Sequence, residues 1–191
     1  MGPNQRKLSK TVEVCLSPEL IHQVDLDGSV AVIVDILRAT SCITAGIGSG
    51  IDHIIPFRDL DECRSMRNKG YLIAGERNGS KVEDFDIGNS PFSYIENAAS
   101  GKPVAVTTTN GTVAIAVSDT ASEIIIGSFL NITAIKNYLQ STDRSVVVVC
   151  AGWKGRVNLE DTLFAGALID RLQDTHSAKE DAALVALQTP P

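Results

Sequence analysis

The chain has 191 residues, 43% hydrophobic and 21% charged, with a net charge of −6. That length buries one substantial core, and the composition is that of a globular protein, not a disordered or fibrous one. An acidic chain without a basic stripe cannot neutralise a phosphate backbone, which argues against nucleic acid as a partner.

The four cysteines, Cys15, Cys42, Cys63 and Cys150, form no CxxC pair, and three of them lie in or beside apolar runs. Buried thiols in a reducing cytosol are expected, not disulfides. Residues 1–10 are polar and basic, a loose leader with no secretory h-region. No apolar run is long enough to cross a bilayer, so a cytoplasmic protein with no membrane partner is expected.

In chain order, Thr11–Leu16 alternates like a half-buried strand. Ser17-Pro18-Glu19 starts a short helix, Pro18–Gln23, with proline in the first turn. Val30–Val34 is continuously apolar, as in a strand covered on both faces. A helical pattern follows from Thr40 to Gly50, then a strand over Ile51–Phe57 and a charged helix over Asp59–Lys69. Tyr71–Ala74 is a short strand emptying into Gly75-Glu76-Arg77-Asn78-Gly79, and Ser80–Ser90 reads as irregular and acidic. Pro91 opens the helix Phe92–Ala99, and Pro103–Val106 is a strand leading to Thr107-Thr108-Thr109-Asn110-Gly111-Thr112 and a helix over Val113–Val117. A strand at Glu123–Ile126, a helix at Ile132–Leu139 capped by Asn131, a strand at Ser145–Cys150 and a helix at Thr162–Leu172 complete the alternation. Ala182–Leu187 is a last apolar stretch. The expectation is a single α/β domain over residues 1–191, a layered sandwich around a largely parallel sheet with helices on both faces.

Ligands of doubly wound sheets sit beyond the carboxyl ends of the strands, and the polar clusters fall at those points. Asp35, Arg38, Thr40 and Ser41 follow one strand; Glu76, Arg77 and Asn78 another; Thr107 to Gly111 a third; Trp153, Glu160 and Asp161 a fourth. The Asp84/Asp86 loop lies between. Converging carboxylates either raise their pKa values or require a cation, and an oxygen-only set with few histidines suits Mg²⁺. The candidate metal ligands are therefore Asp35, Glu76, Asp86, Glu160 and Asp161. Each acid alone also fits a helix N-terminal role, Glu160 and Asp161 especially.

Arg38 and Arg77 present planar guanidiniums suited to phosphate, carboxylate or sulfonate, with internal ion pairing as the alternative. Lys81, Lys154 and Arg156 lie in the same class of loops. Ser41, Asn78, Thr108, Thr109, Asn110, Gly111 and Trp153 are candidates for substrate binding. Walker A, GxGxxG, HExxH and GxSxG are absent. His22, His53 and His176 fall where surface or core placement is expected, and Cys42 has no histidine nearby to activate it.

Five motifs in order carry a family resemblance. They are Val34-Asp35-Ile36-Leu37-Arg38-Ala39-Thr40-Ser41; Gly75-Glu76-Arg77-Asn78-Gly79; Phe85-Asp86-Ile87-Gly88-Asn89-Ser90-Pro91; Thr107-Thr108-Thr109-Asn110-Gly111-Thr112; and Cys150-Ala151-Gly152-Trp153 with Glu160-Asp161-Thr162-Leu163-Phe164-Ala165-Gly166. Together they resemble the 2-phosphosulfolactate phosphatase family. The resemblance implies an α/β fold peculiar to that family. It also implies Mg²⁺-dependent hydrolysis of 2-phospho-3-sulfolactate to 3-sulfolactate and phosphate. The expected mechanism is in-line attack of a metal-activated water, with Asp35, Arg38, Glu76 and Arg77 as the catalytic candidates, the Thr107–Gly111 loop and Ser41 on phosphate oxygens, and Arg38 and Arg77 on the carboxylate or sulfonate. Members of the family continue past this C-terminus, so the chain reads as a partial copy. The rival readings are a phosphohydrolase or transferase for another phosphorylated hydroxy acid, and a non-catalytic binder of a small anion. A covalent phosphoaspartyl route through Asp35 lacks the second acid of a DxD motif. A homodimer is the default expectation for assembly.

Overall fold

The computed structural model describes residues 10–96, 100–178 and 180–188. The leader, the end of the Phe92–Ala99 helix and Thr189-Pro190-Pro191 therefore lie wholly or partly outside the described residues. The strands are β1 (Lys10–Cys15), β2 (Val30–Val34), β3 (Ile54–Pro56), β4 (Leu72–Arg77), β5 (Ser80–Lys81), β6 (Val104–Thr107), β7 (Glu123–Gly127), β8 (Val146–Cys150) and β9 (His176–Ala178). The helices are α1 (Ala39–Gly48), α2 (Leu60–Ser65), α3 (Pro91–Glu96), α4 (Gly111–Ala116), α5 (Ile132–Ser141), α6 (Leu159–Leu172) and α7 (Asp181–Leu187), with 3₁₀ turns at Pro18–Gln23 and Met66–Lys69.

These strands form two sheets. The larger runs β7-β2-β8-β1-β9 and is parallel throughout. Its central strands β2 and β8 are buried along their whole length, which is why both read as unbroken Val/Ile runs. One face, with Val30, Val32, Val34, Val146 and Val148, packs on Phe164, Leu168 and Leu172 of α6 and Ile135 and Leu139 of α5. The other, with Ala31, Ile33, Val147 and Val149, packs on Ala114 of α4 and the turn around Leu20. The smaller sheet, β3-β6-β4-β5, is parallel except for β5, which pairs antiparallel with β4. Cys42 of α1 and Tyr94 of α3 cover one of its faces, and Cys63 and Met66 the other.

Two helices cross between the sheets. After β2, α1 turns Cys42 onto the small sheet while still touching β7 at the edge of the large one; after β6 of the small sheet, α4 packs on the large one. The crossing brings the carboxyl ends of β2 and β6 together. A Cβ on Gly111 would stand 2.7 Å from the Ala39 Cβ and 2.9 Å from Asp35 Oδ2, so only glycine allows this approach.

Several elements depart from the pattern-based expectation for local reasons. Ile51 does not begin β3, because Gly50 is left-handed (φ 97°) and the Ile51 N–H closes the end of α1 on the Gly46 carbonyl. β4 runs to Arg77 instead of stopping at Ala74, and Asn78-Gly79, both at positive φ, turn it into β5. The helix over Asp59–Lys69 tightens from α to 3₁₀ after Ser65.

The pairing of α6 with α7 depends on Gly166, where a Cβ would run into the Ala186 carbonyl oxygen. Gly166→Ala gains helix propensity but must push α7 away. It is expected to destabilise the chain by about 2 kcal/mol, a fall of about 4–8 °C in Tm by scanning calorimetry.

Candidate active site

Four strand ends define the site: Asp35 after β2, Glu76 near the end of β4, Thr107 at the end of β6, and Ala151 after β8. Asp35 sits in a turn stitched by its own loop. Its Oδ1 accepts from the Ala39 N–H at 3.2 Å, and the Thr40 hydroxyl both accepts from the Asp35 N–H and donates to its carbonyl. Burial, more than any neighbour, pushes the Asp35 carboxyl up to about 6, and the nearby charges of Glu76 and Glu160 add to the shift.

Glu76 and Asp161 are buried clamps for backbone N–H groups. Glu76 Oε1 accepts from the Thr109 N–H at 2.6 Å and Oε2 from the Gly79 N–H at 2.7 Å, tying the β4 hairpin to the β6–α4 loop. Asp161 Oδ1 accepts from the Ile36 N–H at 2.8 Å and Oδ2 from the Gly152 N–H at 3.1 Å, tying the ends of β2 and β8 to the start of α6. Burial raises the Asp161 carboxyl to about 7, with the Asp35 charge as a further cause and the bonds from Ile36 and Gly152 opposing it. Glu160, beside Asp161 on the first turn of α6, is half-buried and accepts no hydrogen bond among the described residues.

The loop from Thr107 to Thr112 spends its donors on the chain itself. Besides Thr109 N–H on Glu76, the Thr112 N–H donates to Thr108 Oγ1 at 3.2 Å and Gly111 N–H supports the Asp35 carboxylate. Asn110 does not cap α4; its Oδ1 accepts from the Lys154 N–H at 3.2 Å and joins this loop to the one after β8. Three backbone donors that could bind an anion thus hold the protein's own carboxylates or a threonine hydroxyl.

The other candidates separate clearly. Ser41 Oγ donates back to the Ile36 carbonyl, and the Asn78 N–H faces Thr109 Oγ1 at 3.4 Å. Trp153 is 44% exposed at the rim, with the Lys154 ammonium over its ring. Arg77 is turned inward, donating to the Glu76 and Arg58 carbonyls and to Thr107 Oγ1. Asp86 faces away from Asp35, accepting from the Ile73 N–H and pairing with Arg67, and Asp84 pairs with Arg64. Arg38 reaches over the hairpin to the Gly79 carbonyl at 3.4 Å. Among the described residues no three His, Cys, Asp or Glu side chains converge closely enough to form a metal cage. His176 is a core residue on β9 and His22 is at the surface. All four cysteines are free and buried.

Residues 15–190 match the family model described as 2-phosphosulpholactate phosphatase. The chain belongs to the 2-phosphosulfolactate phosphatase family. It is 46% identical over 143 residues to a protein of Thermotoga petrophila named a probable 2-phosphosulfolactate phosphatase, a match covering 75% of this chain and 62% of that one. A Caldanaerobacter subterraneus protein of the same name is 36% identical over 165 residues, covering 84% and 68%. One from Clostridium acetobutylicum is 36% identical over 180 residues, covering 92% and 77%. Against the Thermotoga relatives the chain thus spans about three fifths of the family protein's length (62%). The residues matched by the family model, 15–190, include Asp35, Glu76, Glu160 and Asp161.

The strand-end acids are legible in the sequence but their partners are not, since a carboxylate that clamps two N–H groups and one with few hydrogen bonds look alike in a string. Lys81 reads in the sequence as one loop cation among several. The Asn78-Gly79 dipeptide was the available signal that it sits on a hairpin beside Glu76.

Proposed function

We propose that this chain carries the catalytic site of a Mg²⁺-dependent phosphatase that hydrolyses 2-phospho-3-sulfolactate to 3-sulfolactate and phosphate. The observation that supports this most is the buried Asp35 carboxylate, raised by burial and by the charges of Glu76 and Glu160, at the junction of two strand ends within a family of that name.

The donor set fits Mg²⁺. The ion keeps most of its waters and needs only one or two carboxylates together with a substrate phosphate oxygen. Asp35 and Glu160 would hold it: Glu160 accepts no hydrogen bond among the described residues, and Asp35 is held by one longer bond from Ala39 and by Gly111, whereas both oxygens of Glu76 and of Asp161 are bonded to backbone N–H groups at 2.6 to 3.1 Å. When bound, the ion supplies neutralisation of phosphate charge and a lowered pKa for a coordinated water. Asp161 fixes the peptide after Asp35 and so aims the carboxylate. Glu76 fixes the Thr109 and Gly79 peptides, and with them the rim over which Arg38 reaches. Arg38 supplies a fixed positive charge for a substrate anion. In the overall reaction a water oxygen bonds to phosphorus, and the ester oxygen leaves with the bonding pair and takes up a proton.

A cytoplasmic location and a homodimer belong to the same proposal. The first is supported by four free thiols, and no helix among the described residues is long and apolar enough to cross a membrane. The second is supported by a groove of about 700 Å³ bounded by Ile43, Ile47, Ile95 and Leu130 and free of charged residues, so two acidic chains could meet there without facing charges.

Phosphate release from 2-phospho-3-sulfolactate tests the activity. We expect turnover with MgCl₂ that falls at least about 100-fold in EDTA and returns on adding Mg²⁺. In single-turnover ¹⁸O-water the label should enter phosphate; label in a protein carboxylate would establish the phosphoaspartyl route. Release only from other phosphorylated hydroxy acids would reassign the substrate. No release with any divalent metal, with 3-sulfolactate still stabilising the fold, would make the chain an anion binder.

A further inference from the structure

A polar pocket of about 390 Å³ opens beside the acid cluster, between the loop after β2 and the β4–β5 hairpin. Arg38 enters it from the large sheet and Lys81 from the small one. Neither cation has a carboxylate partner among the described residues, whereas Arg64, Arg67 and Arg144 are each ion-paired. Among the described residues their hydrogen bonds are long ones, 3.4 Å each, to the carbonyls of Gly79 and Asp86. The Asp86 carboxylate borders the pocket but is committed to Arg67 and the Ile73 N–H.

The Lys81 stem lies along Gly88, where a Cβ would come within 3.4 to 3.6 Å of three of its carbons. The wall also carries Ser90 and Asn89, whose amide oxygen is buried without a partner. Two cations that are not ion-paired among the described residues thus line one polar pocket, Arg38 from the loop after β2 and Lys81 from the hairpin, and they offer positive charge to an anion there. Gly79 links it to the catalytic cluster: its carbonyl receives Arg38 and its N–H is held by Glu76.

We propose that this pocket binds the second anionic group of the substrate, the sulfonate or carboxylate that flanks the phosphate ester, with Lys81 and Arg38 as the discriminating residues. The proposal rests on the reading of the Asp35 cluster as the ester-cleaving centre. It gives Lys81 the role that the sequence pattern offered to Arg77, whose guanidinium is spent on Thr107 and two carbonyls.

Lys81→Gln and Lys81→Arg test it by calorimetric titration in MgCl₂ with 3-sulfolactate and inorganic phosphate. Lys81→Gln should weaken 3-sulfolactate about 10- to 100-fold and phosphate less than about threefold, and Lys81→Arg should restore most of the loss. The KM for 2-phospho-3-sulfolactate should rise by the same factor with kcat within about threefold. Competition by isethionate that depends on Lys81 assigns the pocket to the sulfonate; competition by lactate that depends on it assigns the carboxylate. Unchanged 3-sulfolactate affinity, or equal weakening of both ligands, overturns the proposal. Lys81-dependent sulfolactate binding without hydrolysis of any ester leaves the pocket standing and removes the phosphatase reading. Hydrolysis indifferent to Lys81 does the reverse.

Discussion

Asp35→Asn is expected to lower kcat/KM by about 10²- to 10³-fold or more while the fold becomes no less stable. The two effects have one origin. The carboxylate is only 8% exposed and sits within reach of the charges of Glu76 and Glu160, with Asp161 behind it. Asparagine keeps an oxygen for the Ala39 N–H and occupies the same volume beside Gly111; it gives up the support of the Gly111 N–H, which weighs less on this carboxylate than its burial does. It removes a charge that burial and its neighbours disfavour, which stabilises the metal-free chain. It also removes the charge that would hold Mg²⁺. Steady-state phosphate release and thermal unfolding in EDTA check both arms. Activity within tenfold of the wild type would detach Asp35 from the chemistry, and a fall in Tm would mean that the carboxylate is structural.

Asp161→Asn is expected to act in the opposite sense, as a loss of stability. Each carboxylate oxygen accepts a backbone N–H at a different strand end, and the side chain is fully buried. An amide offers one acceptor and turns a donor toward the other N–H, leaving buried groups unsatisfied at a cost of about 2 kcal/mol. The peptide of Ile36 is then free to shift, so activity should fall as well, with Asp35 present but misplaced. Solvent denaturation at pH 8 gives the stability change directly. A variant as stable as the wild type would remove the clamp from the account.

The same residues set a pH dependence whose sign runs against the usual carboxylate behaviour. Asp35 and Asp161 have folded pKa values of about 6 and about 7, above the unfolded carboxylate range. Between that range and neutrality the folded chain binds more protons than the unfolded one, so stability falls as pH rises through this window. It is greatest below about pH 4 as far as these two groups are concerned, and the decline levels off above about pH 7. Unfolding in EDTA across pH 4 to 8 should show this slope, and Asp161→Asn should flatten its upper part. Saturating Mg²⁺ should flatten it too, because a bound cation favours the ionised form.

Much of the architecture could be read from the chain because buried parallel strands write themselves as uninterrupted runs, as Val30–Val34 and Val146–Cys150 do. The division into two sheets could not be. Nothing in the small-residue pattern from Ala39 to Gly48 says that α1 turns one face onto a second sheet while still touching β7 of the first, since that is decided by which face finds Tyr94 and Val106. At the site, the strand-end clusters were legible as positions. Their roles were not: Glu76 and Asp161 are distinguished from Asp35 and Glu160 by backbone partners that lie as far as 125 residues away in sequence. Asp86 looks equivalent to the others in the string, yet the turn of its loop delivers it to Arg67.

The acids at the two strand ends are expected to meet a cation and an anion, not merely each other. A crystal structure of the chain with Mg²⁺ and 3-sulfolactate or phosphate tests it most directly. The ion is expected on Asp35 with Glu160, a phosphate oxygen in its coordination shell, and Glu76 and Asp161 still bound to their four backbone N–H groups. Mg²⁺ on Asp84 and Asp86, or an anion seated away from Asp35 and Arg38, would contradict it.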